Sequence, residues 1–83
     1  MIVTGRVQGV FFRASARSKA LELGLKGHAR NMPNGSVEVV AQGTQESISE
    51  FVDFLRQSPG ASKVEGVKVC HKEPENFKDF RIL

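Results

Sequence analysis

Apolar and polar positions alternate at the start of the chain. Over residues 2–7, Val3, Gly5 and Val7 share one parity, the period of a half-buried strand. Gly5 and Gly9 then bracket a turn. From Phe12 the period lengthens: Phe12, Ala16, Ala20 and Leu23 fall on one helical face, while Arg13, Arg17 and Glu22 lie off it. Gly24 is placed to stop this helix, because glycine takes the left-handed C′ conformation without a Cβ penalty. Alternation returns at Leu25, Gly27 and Ala29, passes the hairpin signal Asn34-Gly35, and resumes at Val37, Val39 and Ala41. A second helix follows, with Thr44 as N-cap, Glu46 in its first turn and a buried stripe of Ile48, Phe51, Val52 and Leu55. Ser58-Pro59-Gly60 ends it. Val64, Val67 and Val69 predict a fourth strand, Glu73-Pro74-Glu75-Asn76 a turn, and residues 77–83 a last strand with Phe80 and Ile82 on one face.

The predicted order is therefore strand–helix–strand–strand–helix–strand, plus a short C-terminal strand. Each element is apolar on one side only, as a two-layer sandwich requires. The fold class is α+β, a ferredoxin-like βαββαβ sandwich with two helices on one face of an antiparallel sheet. Eighty-three residues hold one such core and leave no room for a second, so residues 1–83 are read as a single domain. This topology hosts many functions and selects none.

Composition narrows the classes. Hydrophobic content of 40% with 25% charged residues suits a globular domain and argues against disorder. No apolar run approaches the roughly 18 residues of a membrane span. Residues 1–5 lack the basic and apolar regions of a secretory leader, so the cytoplasm is the expected compartment. A single cysteine, Cys70, forms no internal disulfide, and two histidines without a cysteine cluster make no zinc site. Charge is unevenly spread. Residues 1–31 carry Arg6, Arg13, Arg17, Lys19, Lys26 and Arg30 against Glu22 alone, a net of +5, whereas residues 32–83 carry a net of −2. The excess at one end of the chain points to an anionic partner.

The segment from Gly5 to Arg13 joins the first strand to the first helix. A glycine-bearing loop that enters a helix N-terminus presents unpaired backbone N–H groups, and with the helix dipole these bind phosphate-like anions. Arg13 stands in the first helical turn, where a cation opposes the dipole, and an anion bound beside it would remove the conflict. Local chemistry leaves a second reading open, an ordinary strand–helix turn carrying an exposed arginine. The segment is neither a Walker A loop nor Gly-x-Gly-x-x-Gly. Asn31 likewise reads either as a polar strand end or as an amide that holds a water.

At these two places the sequence resembles a known family. Val3-x-Gly5-x-Val7-Gln8-Gly9-Val10-x-Phe12-Arg13 is similar to the first signature of the acylphosphatases, and Gly27-x-Ala29-Arg30-Asn31-x-x-x-Gly35-x-Val37, ending at Gly43, to the second. The resemblance implies hydrolysis of the carboxyl–phosphate bond of acyl phosphates without a metal or other cofactor. Matched position by position, it makes Arg13 the phosphate-binding arginine and Asn31 the residue that positions the attacking water. The backbone of Gln8, Gly9, Val10, Phe11 and Phe12 becomes the phosphate cradle, with Phe11 flanking the site. One departure is His28, at a position commonly aromatic in the family. The implied partner is a small acyl phosphate bound by a monomer, with neither nucleic acid nor membrane involved.

Two rivals were weighed. RNA-recognition modules share the topology, but need aromatic residues among Lys and Arg on the open sheet face. The chain has no Tyr or Trp, and its third strand carries Glu38 and no aromatic. The other rival is a phosphate-sensing domain without catalysis, including one belonging to a larger protein. Cys70, His28 and His71 read as strand or packing residues, and Ser15 and Ser18 have no triad partners.

Overall fold

The computed structural model describes residues 1–71 and 73–83. The elements run β1 (Ile2–Arg6), α1 (Phe12–Glu22), β2 (Lys26–Asn31), β3 (Val37–Gln42), α2 (Gln45–Arg56), β4 (Lys63–Lys68) and β5 (Phe80–Ile82). The sheet order is β4-β1-β3-β2-β5. The first four strands pair antiparallel, as the ferredoxin-like order requires. β5 adds to the outer edge of β2 in parallel register, with Gly27 opposite Phe80 and Ala29 opposite Ile82. The antiparallel four-stranded sheet is as expected, and the added C-terminal strand, whose direction the sequence left open, makes the complete sheet mixed. The cause is the path of the chain. It leaves β4 at one edge, crosses the sheet's open face and reaches the other edge running with β2.

That crossing also shortens the last strand to Phe80–Ile82 from the predicted 77–83. Phe77 meets His28 edge-on instead of pairing, with ring centroids 5.9 Å apart at 70°. The Glu75 N–H donates to Gln42 Oε1 at 3.0 Å.

The helix-facing side of the sheet is the core. Val3, Ala29, Val37, Val39 and Phe80 from the strands close against Phe12, Ala16 and Ala20 of α1 and Phe51 and Leu55 of α2, all essentially inaccessible. α1 packs on β2 and β5, α2 on β4, and the helices touch each other. Phe51 and Phe80 meet edge-on at 6.1 Å and 74°, tying α2 to the terminal strand. Phe54 packs against this core with Ile48, while Val52 stays half-buried outside it, so the stripe of α2 is rotated slightly from its predicted position.

Two local irregularities follow from backbone chemistry. Val64 and Val67 have opposite parity yet both pack on the core, because a bulge intervenes: Gly5 faces Val64 while Thr4 faces Gly66, leaving Glu65 as the extra residue. Gly5 makes the bulge possible with φ of +119°, where a Cβ would run into the Lys63 carbonyl. Val69 falls beyond β4 and is exposed. α1 ends as predicted, in a Schellman motif: the Leu25 N–H donates to Ala20 O at 2.8 Å and the Gly24 N–H to Leu21 O at 3.1 Å.

Strand directions decide where chemistry can gather. β1 and β2 are each antiparallel to β3, hence parallel to one another, and β5 runs with β2. Their C-terminal ends, the N-terminus of α1 and the β2–β3 turn therefore share one end of the sandwich.

Candidate active site

At that end residues 7–11 carry the chain from β1 into α1. Val7 is buried and anchors the loop in the core, and Gly9 takes φ of 71°. The N-cap of α1 is Phe11, itself left-handed at φ 60° and ψ 21°, with no side-chain cap and no acidic residue in the first turn. The left-handed region costs a residue with a Cβ roughly 1–2 kcal/mol. α2 supplies the contrast: Thr44 Oγ1 accepts from the Ser47 N–H at 3.1 Å, and Glu46 stands in the first turn. In α1 the first internal hydrogen bond runs from the Ser15 N–H to Phe11 O at 3.0 Å, so the amides of Phe12, Arg13 and Ala14 precede it. The sequence has left one helix start uncapped and capped the other.

A cleft of about 280 Å³ opens at this start, lined by Gly9, Phe11, Phe12, Arg13 and Ala14 together with Val7 and Ile82. Arg13 Nη1 donates to the Leu83 backbone oxygen at 2.7 Å, which steadies the guanidinium and leaves the rest of its donor fork for a ligand. One turn along, Arg17 Nε donates to Phe80 O at 3.0 Å, so two arginines of α1 hold the end of β5. Arg17 is thereby accounted for structurally.

Gln8 and Val10 stand differently from the rest of the expected cradle, since neither lines the cleft. The Gln8 Nε2 donates to Met32 O at 2.8 Å and to Ser36 O at 2.9 Å, pinning the β2–β3 turn to the loop. Val10 packs against the core. The turn itself is a three-residue loop over Pro33, Asn34 and Gly35. The Gly35 N–H donates to Met32 O, the Met32 N–H to Ser36 O, and Gly35 takes φ of 91° as the bulge glycine. Asn34 Oδ1 completes it by accepting from Ser36 N–H and Oγ–H at 3.1 and 2.6 Å.

Asn31 stands two residues before this loop, paired with Val37 at the end of β2. It does not line the cleft beside Arg13. Its Oδ1 is buried and accepts no hydrogen bond from any described residue. Buried acceptors are ordinarily satisfied, so an orphan at this strand end is one that a water or a ligand would satisfy. The signals for Arg13 and Asn31 were visible along the chain. Gln8 is read from the sequence as part of the backbone cradle, but its side-chain tie to Met32 and Ser36, and the part played by Ile82 and Leu83, have no local pattern, because the partners lie 24 or more residues away.

A larger groove, of about 420 Å³, lies at the opposite end of the sheet, where Gln42, Gly43 and Ile48 face Val69, Glu73 and Phe77. Among the described residues its lining includes no lysine or arginine, so it is a poor match for an anionic substrate. No group of three or more His, Cys, Asp or Glu that could hold a metal ion occurs among the described residues. His28, at the departure noted in the sequence, lies away from the loop and Asn31: its Nε2 is 3.5 Å from Glu38 Oε1 on the open face.

Known proteins are similar to this chain over nearly all of its length. The acylphosphatase family model matches residues 1–82. An acylphosphatase of Thermus thermophilus is 49% identical over 81 residues, covering 98% of this chain and 92% of that protein. A solved acylphosphatase from Coxiella burnetii superposes with a TM-score of 0.93 at 41% identity, over 99% of this chain and 86% of that one. The crystal structure of the Bacillus subtilis acylphosphatase gives 0.93 at 34% identity, over 99% and 92%. On the strength of that match from one end of the sequence to the other, the chain belongs to the acylphosphatase family.

Proposed function

We propose that this protein is an acylphosphatase, a hydrolase that cleaves the carboxyl–phosphate anhydride of small acyl phosphates without a metal. The observation that carries the reading is the uncapped N-terminus of α1 with Arg13 in its first turn, both on one cleft. The phosphoryl group docks on the amides of Gly9 and of Phe11 to Ala14, and on the free side of the Arg13 guanidinium. A water held by the Asn31 side chain attacks phosphorus in line. The new bond joins the water oxygen to phosphorus, the P–O bond to the acyl carboxylate breaks, and carboxylate and inorganic phosphate leave, with the water's protons on the phosphate. The carboxylate is a good leaving group, so positioning and charge stabilisation supply most of the acceleration. This suits a cleft whose lining holds no His, Asp or Glu. A monomer is the working unit in this reading. No helix is long and apolar enough to cross a membrane among the described residues. A cytoplasmic enzyme is the setting this reading carries.

The test is hydrolysis of acetyl phosphate in the presence of a chelator, with inorganic phosphate as competitor and Arg13→Ala as control. Turnover that survives chelation, competitive inhibition by phosphate, and a loss of about 10²–10³-fold in Arg13→Ala are expected. Undiminished turnover in a folded Arg13→Ala protein would overturn the assignment of the site.

A further inference from the structure

The chain between α2 and β4 turns back beside the loop that enters α1, and it is firmly held. Ser58 is left-handed at φ 55°, and its Oγ accepts from the Val64 N–H at 2.9 Å. Pro59 is buried, and its carbonyl accepts from the Ser62 Oγ–H at 2.6 Å and the Ser62 N–H at 3.3 Å. Gly60 follows at φ 66°, lying against two groups of the other segment. A Cβ at residue 60 would sit 3.7 Å from the Val10 carbonyl oxygen and 3.4 Å from Ser15 Oγ. The Val10 carbonyl therefore faces Gly60. Neither residue lines the cleft, whereas Gly9, Phe11 and Phe12 do.

The Val10–Phe11 peptide is trans, so its N–H points opposite to its C=O. With the oxygen against Gly60, the Phe11 N–H is turned the other way. Phe11 does not favour this arrangement, because φ of 60° lies in the left-handed region that a residue with a Cβ avoids. Rotating the peptide plane by about half a turn would carry Phe11 to negative φ and aim the carbonyl oxygen where the amide now points. An anion is held by donors, so that form of the loop is useless to it.

We infer that Gly60 is a positioning residue for the phosphate cradle: the space left by its missing side chain receives the Val10 carbonyl outside the cleft and so keeps the Phe11 N–H directed at the phosphoryl group. This rests on the phosphate-docking part of the acyl phosphate reading, and adds a residue from a segment absent from the cleft lining. A larger side chain crowds the oxygen out of its place, the peptide turns over and Phe11 relaxes. Alanine is small enough to be tolerated, since its Cβ makes ordinary contacts of 3.4 and 3.7 Å. Valine is not, because its two γ carbons fill two of the three staggered positions beyond Cβ.

The experiment measures the dissociation constant of inorganic phosphate by isothermal titration calorimetry, with circular dichroism verifying each fold. Gly60→Ala is expected to stay within about twofold of wild type, and Gly60→Val to bind about tenfold more weakly. Gly24→Val is the control for backbone strain: Gly24 is equally left-handed at φ 72°, but a Cβ there meets nothing within 4 Å, and phosphate affinity should not change. Adding Phe11→Gly to Gly60→Val removes the left-handed penalty and should restore most of the affinity, a rescue that general damage to the fold would not allow. Nuclear magnetic resonance of the wild type gives a second reading that needs no substitution. Phosphate should shift the Phe11 amide resonance, and that amide proton should show no Overhauser contact with the Gly60 α-protons. Wild-type affinity in Gly60→Val, an equal loss in Gly24→Val, a double variant no better than Gly60→Val, or such a contact in the wild type overturns the inference. A wild type that binds no phosphate instead overturns the phosphate site beneath it.

Discussion

Arg13 and Asn31 serve the proposed reaction in different ways, and substitutions should separate them. Arg13 already gives one N–H to the Leu83 backbone oxygen, so its value lies in a planar fork that serves the protein and the phosphoryl group together. Lysine keeps the charge but has no fixed fork and cannot reproduce both contacts. Arg13→Lys is expected to lose at least about 10²-fold in kcat/KM, with weakened inhibition by inorganic phosphate, and steady-state kinetics checks both. A lysine variant close to wild type would reduce the arginine's role to simple charge. Asn31 addresses the water instead. Asn31→Ala should lower kcat by about 10²–10³-fold while the phosphate inhibition constant stays near its wild-type value. Because Asn31 Oδ1 is a buried acceptor without a partner among the described residues, its removal should leave the urea midpoint unchanged or raised. Lost phosphate affinity in this variant would move Asn31 into the anion site.

At the scale of elements, strand directions bring the loop after β1 and the turn after β2 to one end, and Gln8 ties them together. Both hydrogens of its amide nitrogen are spent on the Met32 and Ser36 carbonyls. Gln8→Leu leaves those two part-buried acceptors unpaired, which should cost about 1–3 kcal/mol in a urea titration. It should also lower kcat more than it raises KM, since the amides and Arg13 remain while Asn31 loses its anchor. Unchanged kcat in a destabilised Gln8→Leu protein would show the tie to be structural alone. This cross-link also marks where sequence reading stops. Phe12, Ala16 and Ala20 spell out α1, Gly24 its end, Thr44 the start of α2, and Asn34-Gly35 the hairpin, because each signal is completed within a few residues. Arg13 and Asn31 stood out through local oddity joined to a family resemblance. The direction of β5 and the length of the last strand depend on what the chain meets after crossing the sheet, and the bulge at Glu65 and the partners of Gln8 on contacts between segments distant in sequence. No short-range period carries that information.

For the whole molecule, the question is where the excess positive charge of residues 1–31 goes. Arg17 is committed to Phe80 O. Lys19 pairs with Glu22 at 3.3 Å and lies 5.5 Å over the Phe54 ring. On the open sheet face, Arg30 reaches Glu38 Oε1 at 2.8 Å, His28 approaches the same oxygen, and Arg81 pairs with Asp79 at 3.1 Å. Exposed pairs of this kind add little stability, but they dilute the field a polyanion would feel. The face is also obstructed, because the chain between β4 and β5 brings Glu75 to Gln42 and lays Phe77 against His28. An RNA-recognition surface needs open aromatic platforms there, and the phenyl ring on this face is already engaged edge-on. A polyuridylate titration followed by fluorescence anisotropy at low salt is therefore expected to show no saturable binding. Saturable binding with a steep salt dependence, weakened by Arg30→Ala and indifferent to Arg13→Ala, would relocate the anionic partner to the open face. In its absence the net charge of +3 serves chiefly to bias a small dianion toward one end of the sandwich. Added salt should then raise the KM for acetyl phosphate while leaving kcat nearly constant.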